Sequence, residues 1–296
     1  IRDGATGREI TLLDDDELFH MRDGDKYFTW SPDSEWLLVE WDLLLNNSDV
    51  LLMKADGSKR VNLNESGYYD SSPKWVNEGK QMLWFSNRDG LKSYATSGRS
   101  EQDVYSMFFT QEAWDKFSLS EEEFKLTKAI KESKEKDKKK DGDKKDDEKK
   151  KEEEQKKKKV KPLIFDWDNL DERSKRLTIH SSRLGDAVLS KDGEKLYYLS
   201  RFEDKMNLWS TNLRTKATIM EIKLGASFGS LEWDKDMKNL FLLSGGKISK
   251  IDLAKSKQEA VKIKGEMAYD QAAERQVMFD HVWIRTNAIY YEPTFH

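Results

Sequence analysis

The 296-residue chain contains no cysteine, only four prolines and only four histidines. Without cysteine there is no disulfide, no thiolate metal site and no thiol nucleophile, and the compartment stays open because an exported protein can lack disulfides. His20, His180, His281 and His296 are scattered, and no His-Glu-x-x-His pairs any of them at metal-ligand spacing. No Gly-x-Ser-x-Gly elbow occurs. The glycines Gly24, Gly225, Gly229, Gly245 and Gly246 do not make a phosphate cradle, and Gly245-Gly246 reads as a tight hairpin. No run of about 18 apolar residues exists, so no helical span is expected. Charge of neither sign dominates: 52 basic against 56 acidic residues give a net charge of −4, which argues against nucleic acid as a partner. The sequence therefore nominates no catalytic residue, no metal ligand and no cofactor.

What the chain does have is aromatic mass, with ten Trp, ten Tyr and thirteen Phe. The mean hydropathy of −0.87 understates the core because much of the charge sits in one run. The aromatics recur in register. Trp30-Ser31-Pro32-Asp33 precedes Trp36-Leu37-Leu38-Val39, and Trp75-Val76-Asn77-Glu78-Gly79 precedes Met82-Leu83-Trp84-Phe85. Leu189-Ser190-Lys191-Asp192-Gly193 precedes Leu196-Tyr197-Tyr198-Leu199, and Glu232-Trp233-Asp234 precedes Leu240-Phe241-Leu242-Leu243. Trp30 and Trp75 lie 45 positions apart, and Leu189 and Trp233 lie 44 apart. A third strand follows in each unit, as in Asp49-Val50-Leu51-Leu52, Asp103-Val104-Tyr105 and Asn207-Leu208-Trp209. Four short strands per period of about 44, with turn signals every 8–12 residues, define a β-propeller blade. A four-stranded sheet cannot cover its own two faces, so such blades stack on one another.

This reading predicts an all-β propeller over 1–265, with four full blades at about 27–65, 70–183, 184–226 and 228–265. Residues 1–16 read as the end of a further, partial blade with a fourth strand at 8–13, as if the chain were a fragment. The recurrent Asp-Gly and Pro-Asp pairs read as turn chemistry, and the acidic cluster 14–17 as a solvated loop between blades. The second blade carries a charged insertion at about 118–161. From Ser133 to Lys159 it has no apolar side chain, so it is expected to be a solvated loop, disordered or transiently helical. A short helix at 111–116 is expected to precede it, and Leu163-Ile164-Phe165-Asp166-Trp167 to resume the sheet. From 266 to 296 the pattern changes to that of the start of a helical domain. Phe279, Val282, Trp283 and Tyr290 there form one apolar helix face, which is expected to be a domain interface.

Three of these stretches carry a resemblance. Trp30-Ser31-Pro32-Asp33 with Asp49–Ser58 resembles the blade motif of TolB-like and tricorn-type propellers. Phe85-Ser86-Asn87-Arg88-Asp89-Gly90 with Gln102–Ala113, the charged insertion that follows, and the segment from Ala272 to Phe279-Asp280-His281-Val282-Trp283 resemble tricorn protease homologues, which are S41-type serine peptidases. Ser34 departs from the motif where glycine is usual, as does Asn77-Glu78 where Pro-Asp is usual. The resemblance implies the last part of a second propeller that gates or channels peptides toward an active site in later domains. It implies peptide substrates and downstream helical, PDZ and catalytic domains as partners, and a periplasmic or secreted location, with the cytoplasm still open. Homo-oligomerisation is also left open. No position matches a catalytic residue of that family. The competing reading is a TolB-like propeller that binds protein partners without enzymatic activity.

Overall fold

The computed structural model describes residues 9–13, 27–44, 47–93, 100–140, 161–202 and 204–290. Sixteen strands form four four-stranded antiparallel sheets in chain order. Blade 1 comprises β1 (Phe28–Trp30), β2 (Trp36–Leu44), β3 (Asn47–Lys54) and β4 (Arg60–Asn62). Blade 2 comprises β5 (Asp70–Val76), β6 (Gln81–Ser86), β7 (Asp103–Phe108) and β8 (Ser174–Arg176). Blade 3 comprises β9 (Arg183–Leu189), β10 (Lys195–Arg201), β11 (Met206–Asn212) and β12 (Thr218–Ala226). Blade 4 comprises β13 (Ser230–Trp233), β14 (Leu240–Ser244), β15 (Lys247–Asp252) and β16 (Lys257–Ala260).

The two-residue period of a strand decides which neighbour each blade packs against. On β2 and β3, Leu38, Val50 and Leu52 point to blade 2 and meet Met82, Trp84, Tyr105 and Met107. The alternate residues Leu83, Phe85 and Val104 of blade 2 face blade 3 and meet Ala187, Leu189, Leu196 and Tyr198. Their neighbours Tyr197, Leu199 and Leu208 face blade 4 and meet Leu231, Leu240, Leu242 and Ile251. Each buried side chain of this kind stabilises the stack by about 1.5–3 kcal/mol relative to exposure. The far face of blade 1, made of Leu37, Val39, Leu51 and Met53, is covered in part by Leu12 and Leu13. Residues 9–13 form no strand of a sheet, so no fifth blade is present among the described residues; residues 1–8 of the expected partial blade, and the acidic cluster 14–17, lie outside them.

The sequence repeat reappears atom for atom in the first turn of two blades. In blade 1, Ser31 Oγ donates to Asp33 Oδ1 (2.5 Å) and accepts from the Trp36 N–H (2.9 Å). In blade 3, Ser190 Oγ donates to Asp192 Oδ1 (2.5 Å) and accepts from the Lys195 N–H (2.9 Å). Each turn closes through a residue in the left-handed region, Gly193 (φ 74°) in blade 3 and Ser34 (φ 61°) in blade 1. The serine therefore adopts the conformation that the motif normally gives to glycine, at some steric cost. The third strand also carries a fixed device. Asp49 accepts from Asn62 Nδ2 and the Ser66 N–H, Asp103 from Thr178 and Ser181, and Asn207 from the Gly225 N–H. This polar residue fastens the end of the fourth strand to the link into the next blade.

The insertion departs from expectation in two places. Helix α1 (Gln111–Ser118) forms as expected, capped by Thr110. A second helix, α2 (Glu121–Lys140), then occupies the first part of the charged insertion and reaches into the run expected to be disordered or transiently helical. Ser120 and Glu123 explain its start: each side chain bonds the other's backbone N–H, a capping box that ends the preceding turn and begins a helix. The second departure is at Leu163–Trp167, which is not a strand. Leu163 N–H donates to Asp33 of blade 1 (2.7 Å), and the Phe165 ring lies 4.9 Å from Trp36 and 5.1 Å from Phe109. The segment therefore wedges between blades 1 and 2, and β8 alone completes blade 2. Gly79 (φ 85°) makes room for it, since a Cβ there would come within 2.6 Å of Leu163. Beyond blade 4, helix α3 (Gln271–Ile289) is capped by Asp270, which accepts from the N–H groups of Ala272 and Ala273.

Candidate functional site

The first strand of each blade lies where the blades converge, with β1 beside β5 and β9 beside β13. Polar side chains collect at this axial position. Lys74 of β5 donates to Asp186 of β9 (2.5 Å), and the other oxygen of Asp186 accepts the Leu231 N–H of β13 (2.7 Å). Asp186 also accepts the Ala187 N–H (2.7 Å), so one buried carboxylate ties three blades. On the other side, Glu40 of β2 accepts the Ser72 N–H (2.9 Å) and the Tyr69 hydroxyl (3.3 Å). Ser72 has φ 52°, inside a register shift of β5 between Ser71 and Lys74. That left-handed bulge aims its N–H at Glu40 and bends the inner strand, and strain of this kind gathers at working surfaces.

Tyr27, just before β1, lies in the field of this group. Partial burial, and then the carboxylates of Asp186, Glu40 and Glu232, push its phenol up to about 12. The phenol therefore stays protonated at neutral pH and can donate a hydrogen bond but not act as a base. Tyr27 thus lies within electrostatic reach of carboxylates on blades 1, 3 and 4, its carbonyl accepting the Glu40 N–H (3.0 Å), and one of those carboxylates, Asp186, holds the Lys74 ammonium. Such a surface can hold backbone amides and cationic groups of an extended chain. Among the described residues, no three or more His, Asp or Glu side chains are grouped to hold a metal ion.

Two equivalent tryptophans frame the axis. Trp75 Nε1 donates to the Thr29 carbonyl (3.1 Å) and Trp233 Nε1 to the Leu189 carbonyl (2.7 Å), each reaching the preceding blade. Their role is to join blades. Sequence reasoning found these tryptophans but missed Tyr27, Glu40, Lys74, Asp186 and Glu232. The available signal was a charged residue directly before Trp75 and before Trp233, on strands that otherwise face inward.

The residues expected to form an interface, Phe279, Val282 and Trp283, lie together on α3 and are exposed at 66%, 63% and 58%. Tyr290, the fourth residue of the expected face, is the C-cap at which α3 ends, its N–H bonded to the Thr286 carbonyl. Val277, Met278 and Ile284 are exposed as well, so α3 is apolar on more than one side. His180 is exposed and His281 is on α3, while His20 and His296 lie outside the described residues. No helix among the described residues is long and apolar enough to cross a membrane.

No family model matches the chain, and no curated protein matches it in sequence. Solved structures do match. The tricorn protease aligns with a TM-score of 0.54 and 12% identity, over 90% of this chain and 25% of its own. The described residues form a β-propeller of four blades. TolB from Acinetobacter baumannii (TM-score 0.47, 12% identity) covers 81% of this chain, and a prolyl endopeptidase (0.45, 12%) covers 90%. The chain spans 45% of the length of that TolB and 32% of that endopeptidase.

Proposed function

We propose that this propeller is the non-catalytic part of a tricorn-like serine peptidase of the S41 type, and that it passes or retains peptides along its axis on the way to an active site carried by later domains. The observation that carries the reading is the axial cluster, in which a bent inner strand bound by Glu40 lies with a carboxylate, Asp186, that joins three blades. The likeness to the tricorn protease over 90% of the chain agrees with it. In this reading α3 begins the following helical domain, and Phe279, Val282 and Trp283 are shared with that domain's helices. PDZ and catalytic domains follow, in a periplasmic or secreted protein.

The test is direct binding of unstructured, fluorescently labelled peptides of about ten residues to the chain. Binding is expected, and the variant Tyr27→Phe/Glu232→Gln is expected to weaken it about tenfold, the loss of two modest polar contacts. Peptide binding that this variant leaves unchanged removes the axial reading. Capture of a folded protein with no peptide binding supports instead a TolB-like binding propeller without an enzyme.

A further inference from the structure

A second concavity, away from the axis, lies at the seam between blades 2 and 3, where α1 and the start of α2 meet the turn between β11 and β12. Its volume is about 300 Å³. One wall is apolar, made of Trp114 and Phe117 of α1 with Leu213. The rings of Trp114 and Phe117 stack at 6.1 Å and 29°. The other wall is cationic, made of Lys175 on β8 with Arg214 and Lys216 in the turn.

These three cations are not equally satisfied. The Arg214 guanidinium grips both oxygens of Glu194 and donates to the carbonyls of Lys116, Phe117 and Leu119. It also lies 3.8 Å from the Phe124 ring centre, so its hydrogen-bonding capacity is spent on joining the insertion to blade 3. The ammonium groups of Lys175 and Lys216 have no hydrogen bond or ion pair among the described residues. Lys216 is held in place by a left-handed backbone (φ 62°). Desolvation, and then the nearby charges of Lys175 and Arg214, hold its ammonium below the usual lysine range. The one carboxylate in the lining, Glu121, is held by Lys125 (2.5 Å), so the two like charges of Lys175 and Lys216 against the aromatic wall form an unfavourable arrangement that an anion would relieve.

We propose that this concavity binds a small organic anion, its carboxylate or phosphate between Lys175 and Lys216 and its apolar body against Trp114, Phe117 and Leu213. The volume lies at the small end of ligand sites and suits a single ring with a short arm. Arg214 and Glu194 hold the two walls together without being consumed by the ligand. This site is independent of the axial reading, and neither stands or falls with the other.

The probes are phenyl phosphate, 3-phenylpropionate, the neutral 3-phenylpropanamide and inorganic phosphate, each titrated calorimetrically into the 296-residue chain. At least one aryl anion is expected to bind, with the amide and inorganic phosphate about tenfold or more weaker. The better of the two aryl anions identifies the head group. Lys216→Gln and Lys175→Gln are each expected to weaken binding about tenfold. Neither should lower the melting temperature of the free protein, because each removes a like-charge repulsion. Trp114→Leu should weaken the aryl anions and leave inorganic phosphate unaffected. Inorganic phosphate binding as tightly as the aryl anions would overturn the aromatic half of the site. No aryl-anion binding at millimolar concentration, or affinity unchanged in Lys216→Gln, would overturn the site itself.

Discussion

Asp186 and Lys74 share one ion pair but are not equivalent residues. Lys74 makes that contact and a long one to the Ala187 carbonyl (3.5 Å), whereas Asp186 also accepts two backbone N–H groups. Removing the acid therefore leaves a cation and two amides without partners, and unmet buried groups are costlier than the mean hydrogen bond. Asp186→Ala is expected to cost about 3 kcal/mol in urea unfolding, and Lys74→Ala about 1–2 kcal/mol. Equal losses would mean that the amides find water and that Asp186 does not join the blades. Tyr27 gives a pH signature. Its phenol is raised from 10.0 to about 12, so the folded state keeps the proton more tightly than the unfolded chain. Its contribution is complete below pH 10 and is lost as pH rises to about 12. Tyr105, raised by burial and by Asp89, adds to the same alkaline loss. Tyr27→Phe should flatten part of the stability decline between pH 10 and 12, measured by urea midpoints, and leave the neutral-pH slope alone.

Among the elements, the strands were legible and the insertion was not. A turn followed by alternating apolar residues is local information, and it located β2, β6, β10 and β14 because Val39, Trp84, Tyr198 and Leu242 take the same place in each, on the face toward the preceding blade or, in β2, toward Leu12 and Leu13. The start of α2 was equally local in Ser120 and Glu123, but it opens a charged segment with little apolar periodicity to mark a helix. Leu163–Trp167 looked like a strand because it is apolar and aromatic. Its place is decided by Asp33, Trp36 and Gly79, which are distant in sequence and have no periodic signature. The axial cluster was hidden for the same reason, since Lys74 and Asp186 meet across 112 positions. The insertion itself supplies a test. Arg214, Phe124 and the capping box all lie outside 133–159. Deleting 133–159 is therefore expected to shift the melting temperature by no more than about 2 °C, because loop-closure entropy depends weakly on length. Arg214→Met should instead loosen α1 and α2 from blade 3, read as faster amide exchange confined to 111–130.

At the scale of the whole molecule, the blades bury their faces against one another while α3 leaves its apolar residues in solvent. Exposed apolar area of this kind drives association. Replacing Phe279 and Trp283 with serine is expected to reduce self-association in sedimentation velocity, with the sheet signal in circular dichroism unchanged. Loss of the sheet signal would show that α3 supports the blades and is not a separate surface.

Blade 2 also sets an order of events during synthesis. Its fourth strand, β8, pairs with β7 through Tyr105, Ser106 and Met107, yet residues 109–173 lie between the two strands. At about 5–20 residues per second, a ribosome needs several seconds to deliver β8 after β7 has emerged. Throughout that interval blade 1 is complete, while blade 2 is a three-stranded sheet with its outer edge unpaired, and such an edge invites pairing with another nascent chain. Helix α1 packs Trp114 and Phe117 on Phe108 at the end of β7, and it is made first. The insertion that delays the last strand therefore begins with a helix that shields the end of the waiting edge.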